Sequence, residues 1–183
     1  MKSRVIKTGV VLFVFASLCR CDTVNMLNCK FERKNIDNFR FAGVNFDKFS
    51  NFSDIGFADI AKITMALLNS SAPITFDMNL EGKNPTEKNA ALEQFKWKFL
   101  LDGNEILEGN IRDKFSIPAE GTSILPVEIG FDAWSFLENK TPQSLFNFYQ
   151  NITGKNASGQ SNASLKIRPT INGVEFPNYI TIN

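Results

Sequence analysis

The chain has no histidine among its 183 residues. That excludes every Ser-His-Asp or Cys-His triad, any histidine-ligated zinc site, and the commonest general base near neutral pH. Three cysteines, Cys19, Cys21 and Cys29, are too few for a disulfide scaffold or a four-cysteine metal site. Gly103, Gly109, Gly121 and Gly130 stand alone at turns or in strands, so there is no glycine-rich loop to cradle phosphates. The apolar block Val10–Leu18 is nine residues long, well short of the ~20 that a spanning helix needs. Positive charge is not in excess either. Lys and Arg number 20 against 19 for Asp and Glu, and four of the basic residues fall in 1–20, which leaves 16 against 19 in the rest. Such a balance lacks the concentrated basic face that nucleic acid requires. What remains is a globular composition, 43% hydrophobic and 21% charged, in a length suited to one domain.

What is present begins with an export signal. Lys2, Arg4 and Lys7 form a positive region ahead of the Val10–Leu18 block, so residues 1–20 are expected to be a signal peptide. Leu18-Cys19-Arg20-Cys21 places a leucine three positions before a cysteine, the arrangement that lipoprotein processing uses, with Arg20 as a bulky departure from it. Cys21 is the expected lipidation site. Cys19, preceded by Ala16-Ser17-Leu18, is the alternative, and plain signal cleavage is a third. Cys29 then stays a small buried thiol, or pairs with Cys21 if no lipid is added. Residues 21–30 are expected to be a tether and residues 31–183 the domain it holds, with a membrane as partner through the lipid anchor.

Along the domain the hydrophobic period changes. Cys29/Phe31 and Phe39/Phe41 alternate and suggest one or two early strands. Ile60, Ile63 and Leu67 recur at helical spacing, widened by Phe57, Ala61 and Leu68, and predict a helix over 55–68 with Asp54 as its cap. From Ile74 to Glu81 apolar and polar residues alternate strictly, as in a strand with one wet face, and Asn84-Pro85 ends it. Phe95, Trp97, Phe99 and Leu101 form a second inward row, with Lys96 and Lys98 outward, and Asp102-Gly103 supplies a hairpin turn. Leu107, Gly109, Ile111, Phe115 and Ile117 suggest a third strand, and Leu125, Val127, Ile129 and Phe131 a fourth. A second helical stretch is expected in two parts, Trp134–Glu138 capped by Asp132, and a restart at Thr141-Pro142 with Leu145, Phe148, Tyr149 and Ile152 on one face. Ala163, Leu165 and Ile167, then Asn172-Gly173, then Val174–Ile182 close the chain as strand, hairpin and strand. The pattern gives a mainly β protein, an antiparallel β-sandwich with two helical insertions.

The string from Ile74 to Pro85, followed by Phe95–Gly103, Leu107-Glu108-Gly109 and Ile117-Pro118-Ala119-Glu120-Gly121, resembles the late embryogenesis abundant type 2 family, also called the water-stress and hypersensitive-response domain. Its exported bacterial members, many of them lipoproteins of Bacteroidota, are similar overall. The resemblance implies a fibronectin-type-III-like sandwich of about seven strands, a stress-associated (desiccation-related) binding role, and no enzymatic activity. It also implies a place in the bacterial envelope, periplasm or outer membrane. The two helical stretches are longer than a minimal domain of that kind needs.

Side chains that could carry chemistry have plainer readings beside them. Asp102, Glu105 and Glu108 cluster at one hairpin, as solvated turn residues do. Asp77, Asn79 and Glu81 share a polar strand face where a weak Ca²⁺ site is conceivable, although a solvated sheet face accounts for them. Lys96 and Lys98 alternate with aromatics and so lie on the opposite face from them, where stacking and charge cannot act together. Phe39, Phe41, Phe46, Phe49, Phe52 and Phe57 are crowded; core packing accounts for most, and any exposed part would be an apolar patch. No catalytic, cofactor-binding or metal-ligating residue is expected. Three non-enzymatic functions follow: an envelope lipoprotein with a stress-associated binding domain, a carrier of lipid or another apolar ligand in a pocket between sandwich and helices, or an accessory subunit of an envelope complex.

Overall fold

Strict alternation in the central strands decides the architecture, because it gives each sheet one face that must be covered. The computed structural model describes residues 26–137, 139–155, 162–171 and 173–182. The expected signal peptide, Cys19 and Cys21 lie outside the described residues. The described elements are β1 (Lys30–Phe41), β2 (Val44–Asn45), α1 (Phe57–Leu68), β3 (Pro73–Lys83), β4 (Ala90–Leu92), β5 (Gln94–Leu101) and β6 (Asn104–Ile111). They continue with β7 (Phe115–Ile117), β8 (Thr122–Asp132), α2 (Pro142–Thr153), β9 (Ala163–Ile171), β10 (Val174–Glu175) and β11 (Ile180–Ile182).

One sheet has the order β2-β1-β3-β8. The other has β10-β9-β5-β6 with β11 also on β9, and β4 and β7 form a small separate pair. Every pairing is antiparallel. The two larger sheets face each other as a sandwich. Ile74, Phe76, Met78 and Leu80 of β3, and Leu125, Val127 and Ile129 of β8, meet Phe95, Trp97 and Phe99 of β5 and Leu165 and Ile167 of β9 in one buried core. Trp97 has room for its indole because its neighbour across the ladder is Gly109, where a Cβ would lie 2.4 Å from the ring.

The hairpins form as the turn residues require. Asp102 and Gly103 have φ of 50° and 81° in the two-residue link between Leu101 and Asn104, and Gly173 has φ of 76° between β9 and β10. A third turn of the same kind, Ala42-Gly43 with φ of 45° and 78°, joins β1 to β2; its alanine gives no turn signal in the sequence.

Four local expectations are corrected. Asp54 does not cap α1, whose N-cap is Gly56 without a side-chain bond. Its carboxylate instead accepts from the amides of Ser50 (3.1 Å) and Asn51 (2.8 Å) and closes the 3-10 turn Phe52–Asp54. The stretch from Trp134 is a turn rather than a helix, closed by Phe136 N on the Ala133 carbonyl (2.9 Å); Asp132 accepts from Trp134 N (2.9 Å) as a cap does, and with the same oxygen from Ala72 N (3.0 Å), binding the α1–β3 link to the end of β8. The single strand expected from Leu107 to Ile117 breaks after Ile111, and its second part crosses to pair with β4. Finally, α1 buries a narrower stripe than expected: Ile63 and Leu67 are covered, whereas Phe57 is 89% and Leu68 74% exposed. By contrast α2 follows its pattern, with a Thr141–Ser144 capping box, Pro142 in the first turn, and Leu145, Phe148, Tyr149 and Ile152 buried.

The two ends of the sandwich differ. Phe41 pairs with Ile74 at the end where α1 enters β3, and Lys30 pairs with Lys83 at the other. These helical and N-terminal poles are separated by the length of β1, roughly 36 Å at ~3.3 Å per residue.

Candidate ligand-binding cavity

At the N-terminal pole the described residues leave the sandwich incompletely filled. A cavity of about 360 Å³ opens there, walled by Met26 and Leu27 of a 3-10 turn, Cys29 and Phe31 at the start of β1, Leu92 of β4, Ile167 and Pro169 of β9, and Phe176 and Ile180 near the C-terminus. Each wall has a local cause. Met26, in the stretch expected to be tether, is buried and bends the chain across the sheet end, where the Cys29 amide donates to the Met26 carbonyl (3.1 Å). Phe31 sits opposite Gly82, whose missing side chain admits Ile117: a Cβ there would lie 2.6 Å from Ile117 Cδ1 and 3.0 Å from the Phe31 ring. The Phe176 amide donates to the carbonyl of Pro169 (2.9 Å) and folds the tail back over β9.

Asn84 holds the remaining wall. Its buried amide donates to the carbonyls of Lys88 (2.8 Å), Pro118 (3.0 Å) and Ile117 (3.3 Å), and its oxygen accepts from Thr86 N and Oγ1. This hub secures the loop leading to β4, and hence Leu92. The sequence shows Asn84 only as the end of a strand.

Among the described residues no charged side chain lines the cavity. Burial pushes the Cys29 thiol up, so near neutral pH it is a neutral thiol rather than a reactive thiolate. Leu27 (52% exposed) and Ile180 (45% exposed) stand at the rim. A site of this size and lining suits an apolar ligand with little hydrogen-bonding demand, at the small end of the ~300–1,000 Å³ range of ligand pockets.

This is not the place the sequence suggested for a pocket. Between sandwich and helices the space is filled by Phe39, Phe46, Phe146 and Tyr149, with ring centroids 5.0–6.1 Å apart. Burial and the Asp47 carboxylate push the Tyr149 hydroxyl well above the ordinary phenol range, so it stays protonated and donates to Asp47 Oδ1 (3.1 Å). Lys155 approaches both groups. The groove that α2 does border, with Asp102, Asn139, Ser144, Asn147 and Asn151 in its wall, is polar.

The other candidates resolve as surface chemistry. Lys83 (3.1 Å) and Lys34 (3.5 Å) pair with Glu81, and the hydrogen bond from Lys83 holds the Glu81 carboxyl below its usual value. Asp37, Asp77 and Glu128 lie in register across β1, β3 and β8, but Asn38 donates to Asp77 (2.6 Å) and Asn79 to Asp37 (2.9 Å). Among the described residues no group of three carboxylates or thiols converges as a metal site. Lys96 pairs with Glu175, and Lys98 with Glu105 and Glu108, on the wet face of β5. Tyr179 is the aromatic on that face that the alternation of β5 did not reveal; Lys98 and Arg168 sit 5.4 and 4.9 Å from its ring centroid.

Among the described residues no helix is long and apolar enough to cross a membrane. No protein-family model and no curated protein matches the chain. Solved structures do. A protein from Archaeoglobus fulgidus is 10% identical with a TM-score of 0.36, over 82% of this chain and 92% of its own. A protein described as a late embryogenesis abundant (LEA) candidate is 15% identical with a TM-score of 0.38, over 92% of this chain and 71% of its own.

Proposed function

We propose that this is an exported, non-enzymatic envelope protein, anchored by lipid at Cys21, whose LEA type 2-like sandwich holds an apolar ligand at its N-terminal pole. The observation that carries the reading is the cavity between Met26, Leu92 and Ile180, apolar in its described lining, beside the point where the chain enters the fold. Apolar surface left open to water costs ~25 cal/mol per Å², so an apolar chain entering that space is favoured without any specific polar contact. The desiccation-related role that the sequence resemblance implies is part of this reading.

The test uses the Cys21→Ser form, which lacks the anchor, and a dansylated fatty acid as probe. Its fluorescence should rise and saturate on binding. Leu92→Trp, which fills the cavity, and Leu27→Glu, which charges its rim, should both weaken binding, and Leu27→Glu, at an exposed position, should do so at an unchanged unfolding midpoint. No saturable binding, or equal binding in all three forms, would sink the apolar-ligand reading.

A second reading, an accessory subunit, is favoured by one observation: Phe57, Met65 and Leu68 of α1 are exposed on one face. Phe57→Ser with Leu68→Ser should shift the protein to a smaller species on a native gel of envelope extracts if that face is covered by a partner.

A further inference from the structure

We propose that the occupant of the N-terminal cavity is an acyl chain of the protein's own anchor at Cys21. The inference rests on the two readings above, that Cys21 is acylated and that the cavity takes an apolar ligand.

Distance permits it. Cys21 is five residues before Met26, the first residue of the cavity wall. Five residues span at most about 18 Å at ~3.6 Å each, so a lipid on Cys21 starts within reach of the rim. The opening has the right chemistry for passage, since the exposed side chains Leu27 and Ile180 flank it and no charged residue among those described lines the interior.

Tethering gives the anchor's chain an advantage over a lipid free in solution. A chain moving from bilayer to cavity exchanges one apolar setting for another, so the transfer itself contributes little. What separates the candidates is the freedom lost on entry. A lipid free in solution must give up its translational freedom, whereas the anchor's chain is already confined near the rim at an effective concentration in the ~mM range. The helical pole offers no comparable site, because its interior is filled by rings and lies a strand's length away.

Withdrawing one chain leaves fewer chains in the bilayer. Since one acyl chain alone gives only marginal, reversible membrane binding and stable anchoring takes two, the cavity would set how firmly the protein is held. Filled, it loosens the anchor; emptied, it returns the chain to the membrane.

A photoactivatable palmitate analogue, fed to cells making the full-length chain, tests this. After irradiation of intact membranes, the protein is digested and its crosslinked peptides are read by mass spectrometry. The expected result is an intramolecular crosslink from the Cys21 lipid to Phe31, Leu92, Ile167 or Phe176. Leu27→Glu, on the exposed rim, should keep the label on Cys21 and lose those crosslinks. The same variant should also move more slowly from donor to acceptor vesicles of phosphatidylethanolamine and phosphatidylglycerol. A labelled Cys21 whose chain crosslinks only to phospholipid would overturn the proposal and leave the anchor standing. Cavity crosslinks from labelled phospholipid that persist in Cys21→Ser would make bilayer lipid the occupant, overturning self-occupancy but not the apolar-ligand function. A wild-type chain that takes no label would overturn the proposal together with the anchor.

Discussion

The two poles of this sandwich are built from different materials. At the helical pole Phe39, Phe41, Phe46, Phe146 and Tyr149 are all essentially inaccessible, and their rings meet edge-on or tilted. At the N-terminal pole the walls come from a three-residue turn, the ends of strands and the C-terminal tail, and they leave a cavity. Large rigid rings fill space with few rotatable bonds, so a pole made of them sets solid. A pole closed by short elements has fewer side chains per wall, and each wall depends on a few hydrogen bonds. The difference places dense packing at one end and open space at the other.

Truncation should separate the ends. Phe46→Ala removes a buried ring that touches Phe39, Phe49, Phe146 and Tyr149, and should cost ~3–5 kcal/mol. Ile180→Ala, at a half-exposed rim position, should cost about 1 kcal/mol or less. Urea denaturation of the two variants checks this, and equal costs would erase the distinction between the poles.

Asn84→Ala lies between these extremes. It strands the buried carbonyl of Ile117 and its neighbours without their donor, and should cost about 2 kcal/mol. Hydrogen exchange should speed up locally in β4 and β7 and leave α2 protected; a uniform rise would show that the hub serves the whole domain.

The smallest effect is expected from acid. Burial alone would raise the Asp132 carboxyl, but the amides of Trp134 and Ala72 and the Ser71 hydroxyl outweigh it and hold it below its usual value. The stabilisation is present above the ordinary carboxylate pKa of ~3.9 and is lost as pH falls through the lower folded value. Asp132→Asn should therefore be less stable at neutral pH and converge on the wild type in acid. Parallel stability curves would show that the bonds, and not the charge, matter.

Much of this was legible in the sequence. The alternation in β3, β5 and β8 needs no tertiary knowledge, because period two with one apolar parity has one interpretation. The Asp102-Gly103 turn and the turn at Gly173 were readable because glycine there relieves a positive φ, while Ala42-Gly43 was missed because alanine is not a turn signal. Phe57 and Leu68 fit a helical stripe by spacing, but spacing cannot say how wide a face the neighbouring elements cover. The cavity was least legible. Its wall joins Met26 and Leu27 to Phe176 and Ile180, residues from opposite ends of the chain that no local pattern brings together. Two adjacent apolar residues in a stretch otherwise read as a polar tether were the one available signal.

The long pairing of β1 with β3 has a mechanical consequence. A load directed along the axis of β1 meets a strand whose partners run from Lys30↔Lys83 to Phe41↔Ile74. The ladder's hydrogen bonds lie across that axis. A pull therefore shears all of them together rather than opening them one after another, and β1 resists as a lap joint does, with a strength set by its overlap.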